Sequence, residues 1–310
     1  MRVETLALSR LGVSLWRDFD AEFGAGYGRP GGLRVAESER DIALLRQTTE
    51  EQRQAGLPLE WLEGNALRDL APWLGPSMRA GTFCEEDAQS SPLIAGAGLV
   101  RAVRRAGASV LSGCALTAVA AEAGGFCLST AQGGMRARKL VLAAGPWSGA
   151  FLPMLGVSLP LHVDVNMLTI TEPSVPVFDR VVSHIAGILT LKQYANGTCL
   201  IGGGWQGRGV FGAGLKEVDH LRLKQNWRTA AAVIPGLARL RALRSWAGYQ
   251  AVTLDALPVV GPLGGGAFIA MGARGGYTMG PAIGLCAAEM VQGRAAPVPL
   301  HDFRPGRFAS

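Results

Sequence analysis

Two apolar runs in this chain end in small residues and are followed by a helical pattern. The first run and its small residues cover 140–147, with the sequence LVLAAGPW. The second run, 267–271, leads into a glycine-rich segment at 272–276. A buried strand that turns directly into a helix is typical of α/β architecture, and small residues at the turn let the backbone approach a planar or phosphorylated ligand. Each turn is also compatible with an ordinary tight strand-to-helix connection.

The second segment continues to residue 284 and reads GARGGYTMGPAIG. It lacks the Gly-Lys-Ser/Thr of a P-loop, and it does not open a βαβ unit as the dinucleotide fingerprint G-x-G-x-x-G/A does. Backbone N–H groups at the start of a helix stabilise negative charge, for example on the edge of a reduced flavin. The alternative interpretation is a flexible glycine loop.

The order of the predicted elements mixes helices and strands without regular βαβ repetition. Apolar spacing and capping signals predict helices over 6–23, 37–54, 92–106, 215–234 and 277–291. Short strands separated by Gly-Gly and Asn-Gly turns fill most of the remaining chain. We therefore predict an α/β (mixed α+β) fold with two interwoven domains, one with a parallel sheet and one with a larger antiparallel sheet.

Composition excludes several classes of function. The 310 residues are 48% hydrophobic, which is enough for a sizeable core, and the net charge is +6. The basic residues are dispersed and not interleaved with aromatics, so we expect no nucleic-acid binding. No run of about 18 apolar residues occurs, so we expect no membrane span.

The odd count of five cysteines without a C-x-x-C pair indicates a reduced, cytoplasmic protein. Neither a zinc-protease motif nor G-x-S-x-G occurs, so we expect no metal site and no serine hydrolase.

The two glycine segments, together with 246–250 (WAGYQ) and 255–262 (DALPVVGP), form an ordered set. In order and spacing this set resembles the C-terminal two thirds of the D-amino-acid-oxidase-like flavoproteins. That family includes glycine oxidase, sarcosine oxidase, hydrogen cyanide synthase and the β subunits of opine and hydroxyproline dehydrogenases. Shorter segments resemble its substrate domain, and one of them, 189–193, is similar to the dehydrogenase β-subunit branch; these segments are 31–36 (GGLRVA), 85–89 (EEDAQ), 189–193 (LTLKQ) and 201–205 (IGGGW).

The resemblance implies a cofactor and a division of the chain. The cofactor is FAD. The implied FAD-binding domain comprises residues 1–23, 91–157 and 245–310, and the implied substrate domain comprises residues 24–90 and 158–244. The residues that the resemblance places beside FAD are Ala118, Ala144, Gly145, Trp147, Gly272, Gly275, Gly276, Tyr277 and Thr278.

The chain departs from the family pattern at its beginning. Family members open with a strand, a G-x-G-x-x-G turn, a helix and an acidic residue for the ribose, and none of these precedes Leu6. We therefore expect an incomplete Rossmann-like FAD domain that lacks its first βαβ unit. Three explanations stay open: a start further upstream, a degraded paralogue, or a subunit that another chain completes.

Three residues are candidates for the catalytic site. Many family members have an arginine where this chain has Tyr249 or Gln250, and that arginine clamps the substrate carboxylate. Arg274 in the glycine loop carries a suitable charge, although it can equally be a surface arginine. His184 lies in the β-rich part of the implied substrate domain and can border the active site or have a structural role. The candidate catalytic residues are thus Arg274, Tyr249 and His184.

Two functional hypotheses follow. In the first, the chain is an FAD-dependent oxidoreductase that oxidises the C–N bond of an amine or a D- or imino amino acid by hydride transfer to the flavin. Oxygen, a quinone or a partner subunit then accepts the electrons. In the second, the chain is a non-catalytic or truncated subunit of a heteromeric amino-acid dehydrogenase and cannot hold FAD alone. The expected partners are a small amine or amino-acid substrate and the other subunits of such a dehydrogenase.

Overall fold

The computed structural model describes residues 2–308. The helices are α1 (Leu6–Phe23), α2 (Glu39–Gln54), α3 (Gly64–Leu70), α4 (Pro92–Arg105), α5 (Ser148–Phe151), α6 (His220–Val233) and α7 (Gly276–Val291). The strands are β1 (Gly32–Ala36), β2 (Leu59–Glu63), β3 (Ala80–Cys84), β4 (Leu116–Glu122), β5 (Gly125–Thr130), β6 (Gly133–Ala137), β7 (Leu140–Leu142), β8 (Leu161–Thr171), β9 (Val181–His184), β10 (Thr190–Gln193), β11 (Cys199–Gly202), β12 (Arg208–Val210), β13 (Leu215–Glu217), β14 (Ala242–Thr253), β15 (Val259–Gly264) and β16 (Ala267–Met271). The predicted mixed α/β class is confirmed. None of the helices between residues 2 and 308 is long and apolar enough to cross a membrane.

The chain divides into two compact units, and each unit is built from separate segments. The described part of the first unit comprises residues 2–25, 92–164 and 250–308. The second unit comprises residues 26–91 and 165–249. The chain passes from one unit to the other at four points, and two of these points lie inside the long strands β8 and β14.

The second unit is organised around a mixed sheet with the strand order β14-β8-β11-β10-β9-β1-β3-β2 among the described residues. Strands β1 and β9 run parallel, so the sheet predicted as antiparallel contains a parallel pair. One face of the sheet buries Leu33, Leu191 and Ile201 in a core with Ala230 and Val233 of α6. Residues that alternate with these strand positions lie on the opposite face.

The first unit contains a sheet of order β15-β16-β7 and a separate antiparallel sheet of order β4-β5-β6. Strand β16 runs antiparallel to β15 and parallel to β7, with Ile269 opposite Leu142. Within the described part of the chain, β7 and β15 are the two outer strands of this sheet. The carboxyl ends of β16 and β7 lie at the same edge, because parallel neighbours run in the same direction.

Helix α7 follows β16 and packs closely against α1. A Cβ atom on Gly12 would lie 2.2 Å from the Thr278 carbonyl oxygen, so glycine permits this approach. Pro281 lies inside α7 and has no N–H to bond the Tyr277 carbonyl one turn earlier. The indole N–H of Trp16 donates to that carbonyl over 3.0 Å, and the indole stacks on the Tyr277 ring with centroids 4.7 Å apart. Helix α1 therefore fixes the beginning of α7.

One predicted helix boundary is wrong. The helix predicted over 215–234 begins only at His220. The preceding residues Leu215–Glu217 form β13, which pairs antiparallel with β12. Asp219 caps the helix by accepting the N–H groups of Leu221 and Arg222, and an N-cap aspartate ends the preceding segment at that point.

Candidate functional site

Both predicted ligand-binding segments leave the sheet of the first unit at one edge. Gly145 follows Leu142 by three positions, and Gly272 follows Ile269 by three positions. Leu142 and Ile269 are register partners on the parallel strands β7 and β16. The carboxyl edge of a parallel sheet is where open α/β folds bind ligands. The geometry of the first unit thus brings the two small-residue segments together at the edge where a ligand is expected.

The segment after β7 offers open backbone and an unsatisfied polar group. Gly145 has a φ of +51°, and apart from its chain neighbours no atom of the described residues lies within 4 Å of the position that a Cβ would take. Ala144 before it is half-buried, and Trp147 after it is 53% exposed. Ser148 is fully buried, and its Oγ has no hydrogen-bond partner among the described residues. A buried hydroxyl without a partner is unfavourable, so this position fits a polar ligand group.

The segment after β16 is a tight loop that becomes α7. A Cβ on Gly272 would lie 2.8 Å from the Gly276 Cα, so a side chain at Gly272 would force the loop open. Gly275 precedes α7 with a φ of +74°, a conformation that favours glycine. Gly276 has open space around it. The first N–H groups of α7, including those of Tyr277 and Thr278, favour an anionic or electron-rich ligand edge.

Ala118 lies in the antiparallel sheet of the first unit, opposite Ser129 and beside a register shift after Leu116. Its side chain is half-buried. The assignment of Ala118 to the FAD site stays a prediction.

Arg274 is the charged residue of the glycine loop. Its side chain is 69% exposed, and its guanidinium lies 4.0 Å from the carboxylate of Asp164 in the same unit. An exposed pair at this distance contributes little stability, so it leaves the guanidinium able to reorient. The role of Arg274 as a carboxylate clamp stays a prediction.

Tyr249, the second candidate, lies in the second unit near the middle of β14. Its ring packs edge-on against Phe211 with centroids 5.0 Å apart. The Lys216 ammonium lies 5.2 Å from the ring centroid, within cation–π range. These contacts hold the Tyr249 ring in place.

His184, the third candidate, is buried at the end of β9 in the second unit. His184 lies near two carboxylates, Glu37 and Asp41. Each of the three residues offers one possible metal-ligand atom, and these atoms lie within 4.8 Å of one another. His184 Nδ1 accepts the N–H groups of Ala186 and Gly187 at 3.3 and 2.7 Å. The neutral ring therefore carries its proton on Nε2, which is buried without a hydrogen bond to a described residue. A metal would have to displace that proton, so this cluster is poorly suited to bind one.

The structure also brings together three charged residues that the sequence analysis did not single out. They are Arg34, Asp87 and Lys192, all in the second unit. Arg34 and Lys192 alternate with core residues in their strands. This alternation is visible in the sequence and indicates that both side chains lie on the face opposite the core. Their proximity depends on β9 lying between β1 and β10, which the sequence does not reveal.

Comparisons with known proteins agree on one family and one fold. A family model described as FAD dependent oxidoreductase (DAO) matches residues 2–290. Sarcosine oxidase subunit beta of Rhizobium meliloti (strain 1021) is 27% identical over 316 residues, covering 96% of this chain and 73% of that protein. Glycine oxidase of Bacillus licheniformis is 27% identical over 272 residues, covering 85% and 69%.

Solved structures extend this likeness to the fold. Glycine oxidase from Geobacillus kaustophilus superposes with a TM-score of 0.90 at 23% identity, covering 99% of this chain and 84% of that one. L-proline dehydrogenase from P. horikoshii superposes with a TM-score of 0.89 at 22% identity, covering 99% and 85%. At these identities the likeness shows the fold alone.

Proposed function

Because the chain belongs to the DAO family of FAD dependent oxidoreductases, we propose that it oxidises the C–N bond of an amine or amino acid. FAD is the cofactor of this family. The observation that carries the proposal is the register of β7 and β16, since it sends both small-residue segments out of one sheet edge. Two such segments suit one flat cofactor that gains negative charge on reduction better than they suit two unrelated turns.

The residues at this edge fit a flavin dinucleotide. Gly145 and Gly276 have open space beside their Cα atoms, and the buried Ser148 hydroxyl lacks a partner among residues 2–308. In the proposal, residues 144–148 hold the dinucleotide part of FAD. The loop 272–278 holds the edge of its ring that becomes negative on reduction.

When bound, FAD accepts a hydride equivalent from the substrate carbon attached to nitrogen. The chain itself orients the substrate and supplies an electrostatic field. The positive end of α7 stabilises negative charge at the glycine loop, and Arg274 adds an exposed cation there. A substrate that arrives as a neutral amine needs no dedicated base.

The names of the relatives support two finer parts of the proposal. Glycine oxidase is named for an amino acid, which favours an amino acid over a simple amine as the substrate. Sarcosine oxidase subunit beta is named as a subunit, which favours a heteromeric assembly for this chain as well.

The proposal is tested by substituting a glycine that the protein alone does not need. The added methyl of Gly276→Ala meets no atom of residues 2–308 within 4 Å, and position 276 has no positive φ, so the fold accommodates it. A methyl group there would lie against the proposed ring, so we expect Gly276→Ala to lose most of its FAD at an unchanged melting temperature. Gly284→Ala is the matched control, because Gly284 lies in α7 with equally open surroundings. FAD released from the denatured protein is quantified by absorbance.

Two results would count against the proposal. If Gly276→Ala and Gly284→Ala retain FAD equally, the loop does not contact the ring. If the wild-type protein neither carries FAD nor takes it up from solution, the alternative of a non-catalytic subunit is favoured.

A further inference from the structure

A side chain of α1 replaces a backbone hydrogen bond at the start of α7. Trp16 of α1 is buried, with 6% of its surface exposed, and its indole N–H donates to the Tyr277 carbonyl over 3.0 Å. In a regular helix that carbonyl would accept the N–H of the residue four positions later. Here that residue is Pro281, which has no N–H. The direction of the Tyr277 carbonyl is therefore tied to Trp16.

The Tyr277 carbonyl and the Thr278 N–H belong to the same peptide group. A trans peptide group is planar, and its carbonyl and its N–H point in opposite directions. Whatever fixes the Tyr277 carbonyl therefore also fixes the direction of the Thr278 N–H. Among residues 2–308 the Thr278 N–H has no acceptor, as expected for a donor in the first turn of a helix. Trp16 thus orients a donor that is available to a ligand.

Two further contacts restrain the same turn of α7. The Tyr277 ring stacks on the Trp16 ring with centroids 4.7 Å apart and planes 26° apart. A Cβ on Gly12, one turn before Trp16, would lie 3.1 Å from the Thr278 carbonyl carbon and 3.2 Å from the Met279 Cα. The backbone of α7 therefore lies directly against α1, and the first turn is held through a carbonyl, a ring and the backbone itself.

We propose that Trp16 is a positioning residue for the flavin, because it holds the Thr278 N–H towards the ring edge that becomes negative on reduction. This inference rests on the proposed function, in which the loop 272–278 meets that edge. A donor that is oriented in advance needs no reorganisation when the charge develops, so it stabilises reduced FAD more than oxidised FAD. Trp16 acts through the peptide group between Tyr277 and Thr278.

The test measures how much more tightly the protein binds reduced FAD than oxidised FAD. This preference follows from the reduction potential of bound FAD relative to free FAD, measured against reference dyes. Trp16→Phe removes the donor and keeps a ring, so we expect the preference to fall about threefold to tenfold. The matched control is Trp73→Phe in the second unit, which removes an indole N–H that donates to Asp179 over 3.0 Å. It should leave the preference unchanged.

Pro281→Ala separates positioning from packing. Alanine at this position returns an N–H to the Tyr277 carbonyl but does not replace the indole ring. In the Pro281→Ala background, Trp16→Phe should therefore lower the preference by less than about twofold. If Trp16→Phe alone holds no FAD, its FAD content becomes the readout, and Pro281→Ala should restore that content.

Gly12→Ala displaces the start of α7 by contact without removing a hydrogen bond. It should also lower the preference, and Pro281→Ala should not restore it. Melting temperatures confirm that each variant is folded under the conditions of the measurement.

The proposal is overturned if Trp16→Phe keeps the wild-type preference. It is also overturned if the loss is equally large in the Pro281→Ala background, because the ring and not the N–H would then be responsible. The FAD content of the wild-type protein separates these failures from failure of the proposed function. An FAD-loaded protein whose preference does not depend on Trp16 loses only the role of Trp16, whereas a wild-type protein that takes up no FAD overturns both.

Discussion

Asp255 is the described carboxylate with the most strongly lowered pKa. Arg307 donates to both of its oxygens, from Nε over 2.7 Å and from NH2 over 3.1 Å, and the Leu257 N–H donates over 3.0 Å. Burial on its own would raise the pKa of Asp255, but these hydrogen bonds outweigh it and bring the pKa to about 2. The pair fastens the turn Pro305–Phe308 to the segment after β14.

This pair predicts an acid-sensitive part of the stability. A carboxyl whose folded pKa lies below its unfolded value stabilises the protein above the unfolded pKa, and this stabilisation is lost as the pH falls towards the folded pKa. The window therefore runs from about pH 4 down to about pH 2, and the contribution at neutral pH is on the order of 2 kcal/mol. Asp255→Asn should lower the free energy of unfolding by that amount at pH 7 and by little at pH 2, as measured by urea unfolding.

The matched control is Asp18→Asn, since Asp18 forms an exposed ion pair with Arg17. Its effect should be within about 0.5 kcal/mol at every pH. An Asp255→Asn effect that is equally large at pH 2 and pH 7 would show that the carboxylate charge is not the source of the stability.

The strand-to-helix turns at the glycine segments were predictable from the sequence, whereas the proximity of the charged residues Arg34, Lys192 and Asp87 was not. Gly272 and Gly275 stand where a strand becomes a helix, and that requirement is local. Arg34 and Lys192 are more than 150 positions apart in the sequence. Their interaction with Asp87 depends on which strands become neighbours, and strand pairing is decided by the packing of the whole unit.

At the scale of elements, α7 depends on a hydrogen bond from another helix. Pro281 deprives the Tyr277 carbonyl of its usual donor, and Trp16 of α1 replaces that donor. Trp16→Phe keeps a ring against Tyr277 but removes the indole N–H that donates to the Tyr277 carbonyl. We expect it to lower the free energy of unfolding by about 1–3 kcal/mol, measured by chemical denaturation.

Pro281→Ala provides the internal control, because alanine restores a backbone N–H to α7. In the Pro281→Ala background, Trp16→Phe should cost less than it does in the wild-type protein. An equal cost in both backgrounds would attribute the effect of Trp16 to ring packing instead of the hydrogen bond.

Helices were predictable where their end signals were local. Helix α1 extends over the predicted residues 6–23, and α4 begins at the predicted Pro92. Helix α6 was placed too early, because the apolar pattern from Leu215 extends through β13, and the pairing of β13 with β12 is not visible in either segment. The N-cap signal at Asp219 was present in the sequence and marks the true start.

At the scale of the whole molecule, each unit has its own core although its segments are separated along the chain. Leu191 is fully buried in the core of the second unit, and Ile269 is fully buried in the first. Truncating either to alanine should cost about 2–5 kcal/mol. Leu191→Ala should speed amide hydrogen exchange in residues 26–91 and 165–249, and Ile269→Ala should speed it in residues 2–25, 92–164 and 250–308.

Hydrogen exchange followed by mass spectrometry checks this pattern segment by segment. Each variant is the control for the other, since both remove a fully buried branched side chain. Faster exchange confined to the segment that contains the substitution, or spread evenly over the chain, would contradict the division into two cooperative units.

The mixed α/β class was predictable from the alternation of elements, but the order of the strands was not. Neither the parallel pairing of β1 with β9 nor the position of β16 between β15 and β7 follows from any local pattern. Both join segments that are far apart in the sequence, so they are set by burial over a whole unit.

The position of β16 has a consequence for biosynthesis. A nascent chain that has emerged as far as residue 249 already contains every segment of the second unit. At that point β16, the parallel neighbour of β7, has not yet been synthesised. Domains tend to fold on the ribosome as soon as their residues are available. The unit with the charged cluster can therefore mature during translation, and the glycine-lined edge assembles only after the final strands have been synthesised.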